Sequence, residues 1–370
     1  MMLDCNNVYK VKDSVDIFLV DGKILSAYFM NSRTRKTFRV NDVMIEIIES
    51  IDGEKTVEEL LDVIRLKYNI SYEQLENIIL DLLKSKIITL SMAKNDILES
   101  EIQDRYDRQI NYWSEFLDSE EDGLIAQKKI MDCKIIIFGC GAIGGNIALE
   151  LVMAGVNNIT LFDYDIVQHS DISRHMWFEY DSINKLKVEV LKDNLMLINP
   201  DAKITVIKKY LEVYDDLEEL VSKYDFVVNT LDEPYIGYTS AKISRVCIKY
   251  NIPHYIAGGF DAHLASTGEL VVPYKTPCVE CYAKHFKVAL KDWKPCNHPV
   301  ITRYDEIGGL ASMSLFSSSF ASLAILKHIV GINVDSVENL YHTRGELLFE
   351  TFSLDFLNVE KDNDCCVCGE

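Results

Sequence analysis

The chain lacks an excess of positive charge, an export signal and an uninterrupted membrane-spanning run. Its 38 Lys and Arg stand against 58 Asp and Glu, a formal net charge of −20. So acidic a surface repels nucleic-acid phosphates and anionic lipid, so we expect no nucleic-acid partner and no membrane partner. The N-terminus has no basic region followed by an apolar run, and we therefore expect a cytoplasmic protein. The most apolar helical segment, Leu310–Val330, contains six serines, Lys327 and His328 and is predicted to be a packed core helix.

The eight histidines form no paired metal-binding spacing, but the ten cysteines include two C-x-x-C pairs. In a chain without an export signal, paired cysteines bind metal more often than they form disulfides. The pairs Cys278/Cys281 and Cys365/Cys368 therefore predict a tetrahedral structural Zn²⁺ site with no open coordination position. We prefer Cys365 to the adjacent Cys366 because of its spacing. Disulfides are the alternative.

Residues 1–92 are predicted to form a winged-helix-like domain, made of a β-hairpin and three helices. Val15–Val20 and Ile24–Met30 are β-like runs joined by the turn pair Asp21-Gly22. Ile87–Leu90 closes the domain as a strand. The predicted helices are Phe38–Ile51, one capped by Thr56 with Glu59, and one capped by Ser71 with Gln74.

Residues 93–130 are predicted to be a polar connector, in which the acidic patch at residues 118–122 forms a solvated loop. From residue 131 to residue 370, short apolar strands alternate with helices. This pattern predicts an α/β domain with a doubly wound, mostly parallel, Rossmann-like sheet. The predicted strands are Lys134–Phe138, Asn158–Asp163, Ala202–Ile207, Asp225–Val228, Pro253–Ala257 and Glu269–Val272.

A G-x-G-x-x-G motif, formed by Gly139, Gly141 and Gly144, joins the first of these strands to a helix. Glycines at these positions allow a tight turn and bring backbone N–H groups close to a phosphate, and the helix N-terminus adds partial positive charge. Asp163 follows the next strand, where a ribose-binding acid belongs. These residues alone do not separate NAD from ATP.

Arg174 and Lys187, beyond the second strand, can face a triphosphate and neutralise charge as pyrophosphate leaves. Asp232 lies just past another strand, at the usual ligand edge of such a sheet, where a carboxylate can hold Mg²⁺ between phosphate oxygens. Each of these residues alone could be an ordinary surface charge. In this order they favour a triphosphate with its metal over a nicotinamide cofactor.

Residues 104 to 370 resemble the ubiquitin-activating-enzyme-like adenylyltransferases of the ThiF type. The motifs that carry the resemblance are Arg105-Tyr106-x-Arg108-Gln109, the glycine loop, Asp163-x-Asp165, the later Arg, Lys and Asp, and both cysteine pairs. The resemblance implies a homodimer that uses ATP and Mg²⁺. It implies that Asp163 binds the ribose within the Asp163/Asp165 motif, that Arg174 and Lys187 contact the phosphates, that Asp232 coordinates Mg²⁺, and that Arg108 reaches the phosphates of the neighbouring subunit.

The chain departs from the family pattern at three positions near the phosphates. Asp171, His175 and Asn184 stand where the family usually has Asn, Gln and Gly. Asp171 places an acid beside the polyphosphate, which weakens ATP binding or requires metal. Cys296 lies in the polar stretch Lys284–Gly309, where family members have a flexible crossover loop, and is either a carrier nucleophile or a plain loop cysteine.

Within the family, the chain is similar to the peptide-modifying adenylyltransferases that mature microcin-type antibiotics. Its N-terminal unit resembles leader-peptide recognition domains, in which a hairpin edge strand pairs with an extended leader; a dimerisation or packing module is the alternative. The resemblance implies adenylation of a carboxylate of a ribosomally made precursor peptide. Adenylation of the Gly-Gly terminus of a sulfur carrier is the second hypothesis, and an NAD-dependent oxidoreductase or a non-catalytic nucleotide-binding module is the third.

Overall fold

The computed structural model describes residues 4–30, 32–91, 97–117, 119–233, 235–261, 264–289, 308–332 and 344–369. The chain divides into two compact units, Met1–Lys128 and Lys129–Glu370, and each is described by itself. The division of the chain at residues 92 and 130 stays a prediction.

The first unit combines two small antiparallel sheets with helices. One sheet has the strand order β5-β1-β6 and the other β2-β3-β4. In chain order, its elements are β1 (Val8–Val11), β2 (Val15–Val20), β3 (Ile24–Phe29), β4 (Thr34–Arg39), α1 (Asp42–Ser50), β5 (Asp52–Thr56), α2 (Val57–Arg65), α3 (Tyr72–Lys84), β6 (Ile88–Ser91), α4 (Ser100–Phe116) and α5 (Glu120–Asp132), which crosses into the second unit.

Both predicted capping boxes are present in the first unit. Thr56 and Glu59 cap α2 reciprocally, and Ser71 and Gln74 cap α3 in the same way, which satisfies backbone N–H groups that a helix start leaves unpaired. The helix predicted from Phe38 is wrong at its beginning. Phe38 belongs to β4, and α1 starts at Asp42 after Asn41 accepts the Met44 N–H at 3.0 Å.

The acidic residues at 120–122 are helical, so the prediction of a solvated loop is wrong for them. Glu120, Glu121 and Asp122 form the first turn of α5. Ser119 Oγ accepts the Asp122 N–H at 3.1 Å, which caps the helix. Acidic side chains are stable here because the N-terminus of a helix carries partial positive charge.

The second unit alternates strands with helices, as predicted. Its elements are β7 (Lys134–Phe138), α6 (Ala142–Met153), β8 (Asn158–Phe162), 3₁₀ turns at His169–Ser173 and Tyr180–Ser182, α7 (Lys187–Ile198), β9 (Lys203–Ile207), α8 (Glu218–Val221), β10 (Phe226–Asn229), α9 (Ile236–Lys249), β11 (His254–Ile256), β12 (Phe260–Asp261), β13 (Leu264–Ser266), β14 (Glu269–Val271), α10 (Val279–Ala289), α11 (Ala311–Val330), β15 (Arg344–Leu348) and β16 (Leu354–Leu357).

The main sheet has the strand order β14-β11-β10-β7-β8-β9, and every pairing is parallel except that of β14 with β11. This confirms the predicted fold class. From β7 the chain builds outward first through β8 and β9 and then, on the other side, through β10 and β11. The reversal leaves a crevice outside the carboxyl ends of β7, β8 and β10, which is where such sheets bind ligands. A second antiparallel sheet has the order β12-β13-β15-β16.

Among the described residues, α11 is the one helix whose length and composition would suit a membrane span, yet half of that window is buried inside the protein. Its serines pack on α6. Ser318 Oγ donates to the Ile143 carbonyl at 3.2 Å, and Ser319 Oγ donates to Glu150 Oε1 at 2.6 Å. These contacts agree with the predicted core helix.

Candidate nucleotide site and cysteine cluster

The glycine loop leaves the carboxyl end of β7, and its glycines have different roles. Gly139 has φ +88°, and a Cβ on Gly144 would lie 2.0 Å from the Gly139 carbonyl oxygen, so the loop cannot close with a larger residue there. A Cβ on Gly141 would meet nothing within 4 Å. The space beside Gly141 therefore opens at the N-terminus of α6, where backbone N–H groups and the helix dipole favour an anion.

Asp163 ties the end of β8 to this loop. Its side chain is buried; Oδ2 accepts the Cys140 N–H at 2.6 Å and Oδ1 accepts the Asp165 N–H at 2.8 Å. Burial raises the pKa of Asp163, and the two backbone N–H groups oppose that rise. A carboxylate has about four acceptor sites, so Asp163 retains acceptor capacity for a ribose hydroxyl.

Lys187, at the start of α7, lies within a cluster of charges at the same edge. Its Nζ is 3.1 Å from Asp165 Oδ2 and 3.7 Å from Asp171 Oδ2. Arg174 Nη2 is 3.3 Å from Asp171 Oδ1. Burial acts to lower the pKa of Lys187, but the two carboxylates outweigh it and raise that pKa. The structure thus brings together both predicted phosphate ligands and two acids.

The other two departures from the family pattern have a structural explanation. Asn184 has φ +67°, in the left-handed region where glycine fits without strain and Asn is the next best tolerated residue. The His175 side chain is buried, with Nδ1 2.9 Å from the Asp171 carbonyl oxygen. Burial lowers the pKa of His175 to about 4, so the ring is neutral near pH 7.

Asp232 follows β10 at the edge of the crevice. Its side chain is exposed, yet nearby protein displaces enough water to raise the pKa of its carboxyl, against the charge of Lys187, which lowers it. Tyr164 Oη donates to Glu233 Oε2 at 2.6 Å, which connects the segment after β8 to the segment after β10. The predicted Mg²⁺ ligand is therefore at the same sheet edge as the predicted phosphate ligands.

The four cysteines of the two C-x-x-C pairs meet in space. Their sulfur atoms all lie within 4.8 Å of one another, and the Cys278–Cys365 and Cys281–Cys368 sulfur pairs are 3.6 Å and 3.5 Å apart. Four ligands at a Zn–S distance of about 2.3 Å would hold sulfurs about 3.8 Å apart. The thiolate donor set and its spacing fit Zn²⁺, and the exposed Cys366 stands outside the cluster.

The roles of two further predicted residues are not tested by the structure. Arg108 is an exposed residue of α4, in the first unit, and its role stays a prediction. Cys296 lies outside the described residues, and its role stays a prediction.

One feature of the first unit escaped the sequence analysis. Residues 22–41 contain no Asp or Glu, although the chain carries 58 acidic residues in all. Arg35 and Arg39 are exposed on β4, which pairs only with β3 among the described strands, while Lys36 lies over the Phe29 ring at 5.0 Å. The absence of acidic residues from this segment is visible in the sequence. It indicates a basic surface only once β4 is known to be an edge strand.

A family model, described as the ThiF family, matches residues 106–367. The solved structure of Escherichia coli MccB with AMPCPP and MccA matches with a TM-score of 0.72 at 21% identity, over 98% of this chain and 99% of that one. At that identity the likeness shows the fold.

Two curated proteins are also similar. The sulfur carrier protein ThiS adenylyltransferase of Escherichia coli K12 is 31% identical over 179 residues, which are 48% of this chain and 66% of that protein. The probable molybdopterin-synthase adenylyltransferase of Gracilaria tenuistipitata is 28% identical over 232 residues, 62% of this chain and 60% of that protein. The chain spans less than two thirds of the length of each.

Proposed function

The chain belongs to the ThiF family of ATP-dependent adenylyltransferases, and we propose that it activates a carboxylate of a ribosomally synthesised peptide as an acyl-adenylate. A carboxylate oxygen of the peptide attacks the α-phosphorus of ATP, the bond to the bridging oxygen breaks, and pyrophosphate leaves. The observation that carries the proposal is the convergence of the glycine loop, Asp163, Lys187, Arg174 and Asp232 on one sheet edge.

Each residue of this edge has a distinct task in the proposal. The space at Gly141 takes phosphate oxygens, and Asp163 accepts hydrogen bonds from the ribose. Arg174 and Lys187 stabilise the negative charge that accumulates as pyrophosphate departs. Rate acceleration comes from positioning and charge neutralisation, so no covalent protein intermediate is required.

Two metals fit the residues. The carboxylate of Asp232 would hold Mg²⁺, which would supply positive charge to neutralise the phosphates. The four clustered cysteines would hold Zn²⁺ in a closed tetrahedral site that stabilises the fold and takes no part in the chemistry. Thiolate ligands stay reduced in cytoplasm, and we place the enzyme there.

The first unit supplies the recognition element in this proposal. An extended leader adds to the open edge of β4, where main-chain hydrogen bonds give affinity and side-chain contacts give specificity. Whole-chain agreement with a peptide-bound structure, including the N-terminal unit, supports this assignment. The enzyme is a homodimer in which Arg108 reaches the nucleotide of the neighbouring subunit, as the family resemblance implies.

The decisive experiment replaces Asp232 by Ala and follows ATP–pyrophosphate exchange driven by a candidate precursor peptide encoded near the gene. We expect exchange to fall by at least about a hundredfold, since metal-mediated charge stabilisation is worth several kcal/mol. Asp181→Ala, an exposed acid on the turn Tyr180–Ser182, serves as the control. Near-normal exchange by the Asp232 variant refutes the assignment.

A sulfur carrier ending in Gly-Gly is the second candidate substrate, and the 31% identity to the ThiS adenylyltransferase favours it. The nucleotide edge suits both substrates equally, and the first unit separates them. Removal of residues 1–95 is expected to abolish activity on a precursor peptide. Full activity of that truncated form on a Gly-Gly carrier would establish the second candidate.

A further inference from the structure

Asp171 holds both cations that the proposed function assigns to the phosphates. One carboxylate oxygen lies 3.3 Å from Arg174 Nη2 and the other 3.7 Å from Lys187 Nζ. The Asp171 side chain is 5% exposed, so little water competes for these pairs. Phosphate oxygens of a bound nucleotide would compete with this carboxylate for the same two cations.

Asp171 is fixed in place more firmly than Arg174 and Asp165 beside it. Its Oδ2 accepts the Gln168 N–H at 2.9 Å, and the residue belongs to the 3₁₀ turn His169–Ser173. The Arg174 side chain is 39% exposed and can swing outward. Asp165, the other acid on Lys187, is 43% exposed and can turn to solvent. Arg174 and Asp165 can therefore move when nucleotide arrives, whereas the Asp171 charge stays beside Lys187, whose side chain is 12% exposed.

A fixed carboxylate beside a triphosphate repels it, and the repulsion is strong where water is scarce. A divalent cation that neutralises part of the triphosphate charge reduces that repulsion. We propose that Asp171 is an internal counter-ion that occupies Arg174 and Lys187 until nucleotide displaces it, weakens binding of metal-free ATP, and thereby makes nucleotide binding depend on Mg²⁺. The inference rests on the proposed ATP site and adds that Asp171 makes this site favour ATP with Mg²⁺ over metal-free ATP.

The test measures calorimetric dissociation constants for α,β-methylene ATP in excess Mg²⁺ and in Mg²⁺-free buffer without chelator, so that any Zn²⁺ in the cysteine cluster stays in place. Asp171→Asn keeps an oxygen for the Gln168 N–H and removes the charge, so it separates electrostatics from turn geometry. We expect it to bind the metal-free nucleotide at least about tenfold more tightly, with a clearly smaller gain in Mg²⁺. Asp181→Asn removes an equal charge from the same loop, 10 residues along, and is expected to leave both constants unchanged.

Asp171→Ala distinguishes a structural role of Asp171 from the proposed electrostatic role. It removes both the charge and the acceptor, so its melting temperature should drop below that of Asp171→Asn. If Asp171 serves mainly to hold Arg174 and Lys187 in a binding-ready position, both variants will bind nucleotide more weakly, and the inference is overturned. It is also overturned if Asp171→Asn and the unmodified protein bind the nucleotide equally tightly in Mg²⁺-free buffer.

The steady-state readout is a lower KM for ATP in the Asn variant, with kcat unchanged or reduced, most visibly at low Mg²⁺. Failure of the proposed function looks different. In that case the unmodified protein binds no nucleotide under either condition, and both proposals fall together. If the unmodified protein binds ATP and the Asn variant gains nothing, the counter-ion proposal falls alone.

Discussion

The second unit holds its functional residues by buried contacts, whereas the first unit presents its edge strand to solvent. Asp163 and Asp171 are both buried and accept backbone N–H groups, so their positions are set by the fold before any ligand arrives. Arg35 and Arg39 on β4 are exposed, and β4 is ordered by its pairing with β3. The nucleotide edge is therefore preorganised, while the exposed side chains of the edge strand are free to adjust to a ligand, which in the proposed function is a peptide.

Glycine replacements test how completely the nucleotide edge is preorganised, and they carry the largest expected effect. Gly144→Ala places a methyl group on a carbonyl oxygen and should cost more than about 4 kcal/mol or open the loop. Gly141→Ala is the contrast, since its Cβ meets nothing and φ is −77°. It should keep the melting temperature and lose nucleotide affinity. Equal melting temperatures for the two variants would contradict this account.

Loss of the cysteine cluster should weaken the second unit and leave the first unchanged. We expect Cys278→Ser, or chelation, to lower the stability of the second unit by about 3 kcal/mol or more, because structural zinc binding is coupled to folding. Hydrogen exchange resolved by unit, with zinc measured by mass spectrometry, provides the readout. Cys366→Ser, outside the cluster, should change neither the hydrogen exchange nor the zinc content. Metal-free protein of full stability would contradict the zinc assignment.

Acid should destabilise the second unit through its buried histidines. Burial lowers the pKa of His254 to about 4, whereas an unfolded histidine titrates near 6.5. Between pH 4 and pH 6.5, His254 is protonated in the unfolded state and neutral in the folded state. Its contribution to the unfolding free energy is therefore fully present above about pH 6.5 and is lost as pH falls toward 4. One such histidine accounts for about 2 kcal/mol between pH 7 and pH 5.

The variant His254→Gln isolates that contribution. Its unfolding free energy should fall less between pH 7 and pH 5 than that of the unmodified protein, by about 2 kcal/mol. His285→Gln, at an exposed position of α10, should reproduce the unmodified pH dependence. Identical pH profiles for all three proteins would remove His254 from the explanation.

The smallest effect is expected at the exposed strand. Reversal of Arg35 and Arg39 to Glu should weaken binding of a candidate precursor peptide by about tenfold, as rim charges contribute modestly, and should leave nucleotide affinity intact. Fluorescence anisotropy of a labelled peptide measures its affinity for each variant. Reversal of Lys67 and Lys84, exposed elsewhere in the unit, is the matched control. Equal losses for both pairs would indicate general charge effects and refute β4 as the docking edge.

Local signals explain which parts of the fold could be predicted. Reciprocal caps such as Thr56 with Glu59 and buried strands such as β7 are encoded by adjacent residues. β4 was missed because its residues are mostly exposed and show no apolar alternation. β5 reads Asp-Gly-Glu-Lys-Thr, a turn-like composition that becomes a strand through pairing with β1.

The site shows the same division between local and long-range information. Chain order placed the glycine loop and Asp163 correctly at the carboxyl ends of their strands, because parallel strands align those ends. The contacts of Asp171 with Arg174 and Lys187 depend on how the loop before α7 folds back. Sequence reasoning identified Asp171 as an unusual acid but could not show that it pairs with both cations.

Trp177 gives the loop an intrinsic optical signal. A Cβ on Gly145 would overlap its indole ring at 2.0 Å, so the ring lies directly against the backbone that follows the phosphate turn. The chain has only three tryptophans, and the ring of Trp177 also packs edge-on against His175. Emission from this indole therefore reports on the loop without any attached dye, so an unlabelled sample in a cuvette can be used to follow its rearrangement in real time.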